Sequence, residues 1–250
     1  MKRLLLLIAL LRPFAGVAQT VSLGLKAGIP VTEALETANF DSGPADIFRT
    51  QINYTSRAKR YTVGPAVEVS LPFGLALEFD ALYKRLDYNF SSKMRAASFG
   101  TFNQQQHNIV SRWDLPLLLK YRVRTFAYRT PYISAGLNTN YIVNTTQLSR
   151  TFFTPSSGAP AAQTPPAKLR NPPAELKYRS AEGFVIAGGL EFRIHGLRAA
   201  PELRYTRWAH ENFHELLPAG KLRSYLNQAE VLVTLSLRKS TQGLAKPFSR

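Results

Sequence analysis

The sequence predicts an all-β fold, an eight-stranded antiparallel up-and-down transmembrane β-barrel with long external loops. Three observations predict it. Apolar and polar residues alternate through eight segments, each of about 9–12 residues, the length that a tilted membrane-spanning strand requires. Short and long connections alternate along the chain. The N-terminus has the layout of an export signal.

Composition excludes several classes of protein. The chain has 250 residues, of which 45% are hydrophobic, so it can form a folded core. It has no cysteine, which excludes disulfides, thiolate zinc sites, iron–sulfur clusters and thiol nucleophiles. The net charge of +16 favours an anionic partner.

The first 18 residues predict a secretory signal peptide. A basic start precedes the apolar run 4–11, and the small residues Gly16 and Ala18 precede Gln19. The run is too short to cross a bilayer as a helix. We therefore expect a signal peptide over 1–18, a barrel domain over 19–238 and a basic C-terminal tail over 239–250.

The first four predicted strands each carry one apolar face. Period-two alternation of this kind is the signature of a strand with two different environments. The strands and their apolar residues are 21–29 with Leu23, Leu25 and Ile29; 60–71 with Val63, Val67 and Val69; 74–84 with Leu75, Leu77 and Phe79; and 112–123 with Leu115, Leu117 and Leu119.

The last four strands repeat the pattern. Their apolar positions are again two residues apart, with small, amide or charged side chains between them. The strands are 132–143 with Ile133, Ala135 and Leu137; 183–194 with Phe184, Ile186 and Leu190; 201–208 with Leu203 and Tyr205; and 227–237 with Val231, Val233 and Leu235.

The connections support an up-and-down path through a membrane. Outer-membrane barrels have short periplasmic turns and long external loops. The short connections here are 71–74, 124–130 and 195–198, and the long ones are 30–60, 91–108, 144–181 and 209–224. The Pro/Ala-rich segment 154–175 is expected to be the mobile tip of the third loop.

Charges on the polar face are balanced although the whole chain is basic. A narrow lumen filled by side chains requires such balance, because an unpaired buried charge costs several kcal/mol. We expect a lumen ion-pair network of seven acids, Glu68, Glu78, Asp80, Asp114, Glu191, Glu202 and Glu230, and seven bases, Lys26, Lys84, Arg112, Lys120, Arg122, Arg193 and Arg204.

Aromatic residues stand near the strand ends on the apolar face. Outer-membrane barrels carry aromatic girdles at both lipid–water interfaces. The predicted outer girdle is Tyr61, Tyr83, Trp113, Tyr141 and Phe184, and the predicted inner girdle is Tyr121 and Phe192.

Four segments carry a resemblance to a known family. They are 112–122 (RWDLPLLLKYR), 131–141 (PYISAGLNTNY), 183–208 and the last strand 227–237. Through them the chain resembles the small PorT-like outer-membrane barrels, which are similar in architecture to OmpA-type and OmpX-type barrels. The resemblance implies an outer-membrane location and insertion by the barrel-assembly machinery, and no single activity. Such barrels often end on an aromatic residue, whereas this strand ends near Leu237.

One motif points to metal chemistry. His210, Glu211 and His214 form H-E-x-x-H, which on a helix can bind zinc with the glutamate as general base. Here the motif lies in a polar loop before Pro218, so an ordinary external loop is the favoured interpretation and a metal-dependent hydrolase the minor alternative. We expect no cofactor and no catalytic residue.

Two further enzymatic or binding functions are disfavoured. A lipid A acyltransferase or deacylase needs a serine beside a histidine, but His107 and Ser111 stand about 13 Å apart along a strand. Nucleic-acid binding is not expected, since the bases are dispersed. A basic loop rim suits lipopolysaccharide phosphates, although a solvated loop surface explains it equally well.

The main alternative reverses the two faces. A secreted soluble β-barrel that binds a lipophilic ligand would also alternate, with its aliphatic side chains inside. The two hypotheses differ in which face of the strands points outward. The first assigns a non-catalytic role in envelope structure, adhesion or ligand binding through the external loops, with an external ligand that the sequence does not identify.

Overall fold

The computed structural model describes residues 20–43, 48–56, 61–123, 129–173, 175–194, 197–213 and 222–238. The predicted signal peptide, the C-terminal tail, His195 and His214 lie outside the described residues. Within them, no helix is long and apolar enough to span a bilayer.

Thirteen β-strands make up nearly all of the described structure. Strands β1 to β7 are Val21–Pro30, Ala38–Ser42, Phe48–Ser56, Thr62–Ser70, Leu75–Asp80, Leu82–Ala96 and Gly100–Arg122. Strands β8 to β13 are Arg129–Pro155, Ala162–Gln163, Ala167–Leu169, Ser180–Ile194, Leu197–Trp208 and Asn227–Arg238.

The strand pairings close into a ring. Strand β1 pairs antiparallel with both β13 and β4, and β7 pairs antiparallel with β8. Around the ring the order is β1, β4, the consecutive pair β5–β6, β7, β8, β11, β12 and β13, which returns to β1. Strands β5 and β6 act as one strand, since their register against β4 and β7 is unchanged across Ala81. The ring is therefore an eight-stranded antiparallel barrel, as predicted.

Strand direction fixes the two ends of the barrel. One end carries the short connections, including the 3₁₀ turn Pro72–Gly74, and the paired chain ends of β1 and β13. The other end carries the long connections. In outer-membrane barrels the short turns are periplasmic and the long loops are external, so we use these names for the two ends.

Much of the predicted external loop sequence forms strands. Strands β6, β7 and β8 continue well beyond the barrel, β7 for 23 residues and β8 for 27. The first loop contributes β2 and β3, and the third contributes β9 and β10. Together β2, β3, the upper halves of β6, β7 and β8, and β10 form a sheet that we call the extracellular wall. The other five barrel strands, β1, β4, β11, β12 and β13, lack such extensions in the described residues.

A β-bulge separates the wall from the barrel on β8. Ser111 pairs with Asn144, whereas the next residue, Arg112, pairs with Ile142, so Val143 is the extra residue. Outward-facing positions on β8 are odd-numbered below the bulge and even-numbered above it. The bulge therefore changes which residues face outward where the strand leaves the barrel.

The outward face of the barrel is apolar. Leu23, Leu117, Ile133, Leu203 and Leu237 are all exposed, whereas the neighbouring Leu118 is fully buried inside. Among the described residues, the strand positions that face outward between the two predicted girdles are free of charged side chains. Such a belt fits hydrocarbon and not water.

An apolar cluster covers the lumen at the external end. Tyr88 and Val110 from the inner face of the wall pack with Leu35, Phe213 and Leu222 from the loops. Tyr88 and Phe213 meet edge to face with ring centroids 5.9 Å apart. The lumen is thus closed from above by side chains of the wall and three loop segments.

Candidate functional site: the charged lumen and the extracellular wall

In the periplasmic third of the lumen, two glutamates accept hydrogen bonds from three basic side chains. Glu68 accepts hydrogen bonds from Lys120 at 3.0 Å, from Arg198 at 2.5 Å and from Arg122. Glu191 accepts from Arg122 Nε at 3.0 Å and from Arg198 at 3.4 Å. These five side chains come from four barrel strands and tie them together across the lumen.

The central third is more deeply buried. Lys26 Nζ, which is fully buried, contacts Glu78, Asp80 at 2.9 Å and Glu202 at 3.6 Å. Arg204 lies 2.8 Å from both Asp80 and Glu202. Lys120 also pairs with Glu78, which links this cluster to the periplasmic one.

The external third forms a smaller cluster. Lys84 Nζ lies 2.7 Å from Asp114 and 2.5 Å from Glu230. Arg112 Nε lies 3.1 Å from Asp114, and its Nη2 donates to Gln228 at 2.9 Å. The guanidinium carbon of Arg112 also lies 5.6 Å from the centre of the Trp208 ring, within the range of a cation–π contact.

Thirteen of the fourteen predicted lumen residues lie in these three clusters, and Arg193 does not. Arg193 is exposed at the periplasmic end of β11. Its place is taken by Arg198, which lies in the predicted short connection 195–198. Arg198 has the same strand parity as Glu202 and Arg204, so extending the alternation of β12 to its first residues could have found it. With this exchange, the described lumen network still has seven acids and seven bases.

The seven predicted girdle residues all face outward. Tyr61, Tyr121, Tyr141 and Phe184 are between 42% and 52% exposed. Tyr83 contacts Trp113 with ring centroids 5.5 Å apart, and Trp113 pairs in register with Tyr141. Phe192 lies at the opposite end of the barrel, near the periplasmic turns. The two aromatic girdles remain a prediction. The outward direction of these seven side chains is the one that such girdles require.

The H-E-x-x-H segment is not helical where it is described. His210 is exposed, and its Nε2 lies 3.0 Å from the backbone oxygen of Ser180. Phe213 instead forms an isolated antiparallel bridge with Leu176. The helical spacing that would bring two histidines onto one face is therefore absent from 210–213, and His214 lies outside the described residues.

The outer face of the wall is polar and basic. Lys93, Arg95, Arg150 and Lys168 are all exposed on the outward side of β6, β8 and β10. Of the acids on the described part of this face, Asp87 pairs with Arg85 at 3.1 Å. The other, Asp41, accepts hydrogen bonds from Arg49 and Gln51, which lower its pKa to about 2. Both acids are thus neutralised by their own arginine neighbours.

The model of a protein family extends over most of this architecture. It describes the outer membrane protein beta-barrel domain and matches residues 17–207. The chain belongs to the outer membrane protein beta-barrel domain family. This membership, with apolar side chains outside and ion pairs inside, makes it an integral barrel of the bacterial outer membrane. The soluble alternative needed the reverse orientation and is unsupported.

Three solved structures of small outer-membrane proteins are similar to the chain. OprG from Pseudomonas aeruginosa has a TM-score of 0.44 and 10% identity, over 89% of this chain and 96% of that one. Neisserial surface protein A has 0.30 and 11%, over 86% and 96%. Ail of Yersinia pestis, solved with the heparin analogue sucrose octasulfate, has 0.26 and 9%, over 88% and 97%. No curated protein matches the sequence.

Proposed function

We propose that this protein is a non-catalytic, non-conducting outer-membrane barrel that acts at the cell surface through its extracellular wall. The observation that carries the proposal is the lumen, where ion pairs from Glu68 to Glu230 occupy three successive levels. An eight-stranded barrel has an interior just wide enough for side chains. A lumen filled in this way stabilises the barrel and leaves no continuous aqueous path.

A non-catalytic role is supported by the hydrogen bonds of the histidine and serine side chains that an enzyme could use for catalysis. His210 binds a backbone oxygen, and His107 Nδ1 lies 2.7 Å from the Asn89 side-chain oxygen. Ser111, which a lipid A enzyme would need as nucleophile, accepts a hydrogen bond from Tyr83 at 2.9 Å instead. Each group therefore has a structural partner that accounts for its position.

The proposal includes export and assembly. Residues 1–18 would be removed as a signal peptide, and the barrel-assembly machinery would insert the mature chain among outer-membrane lipid and lipopolysaccharide. The narrower PorT-like membership rests on the four sequence segments named above. N-terminal sequencing of the protein extracted from membranes tests the first point, with Gln19 expected as the first residue.

Conductance measurements test the closed lumen. The purified barrel, inserted in a planar bilayer, is expected to give no stable current steps under an applied voltage. Matched insertion of a known open porin shows that the assay detects channels. Reproducible ohmic steps from the folded protein would overturn the non-conducting assignment while leaving the membrane location intact.

A further inference from the structure

We propose that the outer face of the extracellular wall binds the phosphorylated sugar headgroups of lipopolysaccharide molecules that surround the barrel. This inference rests on the proposed function, because it requires the wall to stand at the cell surface. It specifies the partner, and it specifies the residues of a site that is separate from the lumen and from the apolar cluster that covers it.

The charge of the wall points to a polyanion. Lys93, Arg95, Arg150 and Lys168 are exposed on one face of the sheet, while the described acids of that face, Asp41 and Asp87, are paired with arginines. The described part of this surface therefore presents an excess of positive charge. Arginine and lysine bind phosphate by charge-assisted hydrogen bonds, which are about twice as strong as neutral ones.

The residues between these bases suit a sugar. On the outward side of β7, Asn103, Gln105 and His107 stand in register with Lys93, Ser91 and Asn89 of β6. Gln105 also pairs with Arg150 of β8. Amide and hydroxyl groups both donate and accept hydrogen bonds, as the hydroxyls of a sugar do. The hydrogen bond between His107 and Asn89 fixes two of these side chains in place.

The two flanking strands bring bases toward one ligand. Lys93 lies level with Asn103 on one side of β7, and Arg150 lies level with Gln105 on the other. Strand spacing and rise place their Cα atoms about 12 Å apart. Both side chains are long enough to approach the same phosphorylated sugar from opposite sides of a shallow groove, which Asn89, His107, Leu148 and Arg150 help to line.

The height of this surface favours lipopolysaccharide over a more distant partner. Trp113 of the predicted outer girdle and Gln105 lie on the same strand, eight residues apart. That separation is about 26 Å along the strand, or about 20 Å above the girdle at a tilt near 40°. The wall thus rises from the lipid belt without a break and faces the headgroups of the outer leaflet, beside which it stands.

Binding of defined lipopolysaccharide tests the inference. Native mass spectrometry of the detergent-solubilised full-length protein would be titrated with lipid A that carries a phosphorylated inner core. The variant with both Lys93→Gln and Arg150→Gln is expected to bind at least tenfold more weakly. The same lipopolysaccharide after enzymatic dephosphorylation should bind the unsubstituted protein with a similar loss, and added salt should weaken binding to the unsubstituted protein.

A matched variant separates local from global charge effects. Lys177 and Arg193 are also exposed but lie away from this face, so Lys177→Gln with Arg193→Gln removes the same charge and should leave affinity unchanged. Equal weakening by both variants, unchanged binding of the wall variant, or equal affinity for dephosphorylated lipopolysaccharide would each overturn the inference. Preference for a sulfated polysaccharide over lipopolysaccharide would also overturn it. A folded, non-conducting protein that fails to bind refutes this inference alone.

Discussion

Lys26 shows how a single buried charge is held in the barrel. Its ammonium group is fully buried and contacts three carboxylates from β5 and β12. Removing one partner from a buried ionic cluster leaves the others uncompensated, which costs about 3–5 kcal/mol. The Lys26 side chain thus contributes to stability because, without it, three buried carboxylates would lose their common cation.

We expect Lys26→Met to lower the free energy of unfolding by about 3–5 kcal/mol, because Glu78, Asp80 and Glu202 lose a common cation. Urea unfolding of the barrel in detergent, followed by tryptophan fluorescence, measures the change. Arg193→Met is the control, since Arg193 is exposed at a strand end. A Lys26→Met protein as stable as the control would contradict the interpretation of the lumen network.

Leu117 tests the opposite face of the same sheet. It is 47% exposed in the middle of the part of β7 that belongs to the barrel, so Leu117→Arg places a charge in hydrocarbon and should cost about 2–4 kcal/mol. Leu148 is 39% exposed on the wall, and Leu148→Arg should change stability by about 1 kcal/mol or less. Unfolding in lipid vesicles measures both. Equal effects would mean that the lipid belt does not end where the wall begins.

Sequence reasoning identified most individual lumen residues because alternation fixes which side of a strand each residue faces. It failed for Arg193 and Arg198, which lie at the ends of neighbouring strands. Parity gives the face of a residue but not how far the barrel extends over it. The exposure of Arg193 and the partial burial of Arg198 depend on where β11 ends and β12 begins, which hydropathy does not specify.

In the strands of the wall, the alternation of apolar and polar residues that predicts a strand is lost. Over 89–108 the inward face includes Ser92, Gln104, Gln106 and Asn108 as well as aromatic residues, so apolar and polar residues no longer alternate cleanly. Without that contrast a strand and a polar loop look alike. The extension is specified by cross-strand pairing with β3 and β8, which connects segments far apart in the chain.

At one position of β8, the neighbouring strand is so close that there is no space for a side chain larger than that of glycine. A Cβ atom added at Gly136 would lie 1.9 Å from the backbone oxygen of Leu117. Gly136→Ala therefore forces β7 and β8 apart and should cost about 1–3 kcal/mol. At Gly188 of β11 the nearest atom would be 3.9 Å away, so Gly188→Ala should be tolerated. Urea unfolding compares them, and equal stability would show that the sheet adjusts freely.

At the scale of the whole molecule, closure is the dominant feature. The pairing of β1 with β13 leaves no free edge in the barrel, so every strand there is hydrogen-bonded on both sides. The sequence predicted the number of strands and the direction of their faces. It could not predict that one side of the barrel rises into a wall while the other side ends at the rim.

Closure predicts resistance to detergent. The folded barrel should stay intact in sodium dodecyl sulfate at room temperature and migrate differently on a gel from the boiled protein, because unfolding must break the whole ring at once. Gel shift of membrane extracts measures this, with a soluble protein of similar mass as control. Identical migration before and after boiling, or recovery without detergent, would contradict a transmembrane barrel.

The bulge at Val143 divides β8 into two parts that obey opposite parity rules. Deleting this one residue would turn every residue of β8 above it to the opposite face, so that Leu148 and Arg150 would point toward the apolar cluster. The residues that now face inward would then face solvent. The set of residues that β8 contributes to the outer face of the extracellular wall is thus determined by a single extra residue. Natural variation in the length of this short stretch would exchange one exposed surface for another without altering the lipid-embedded part.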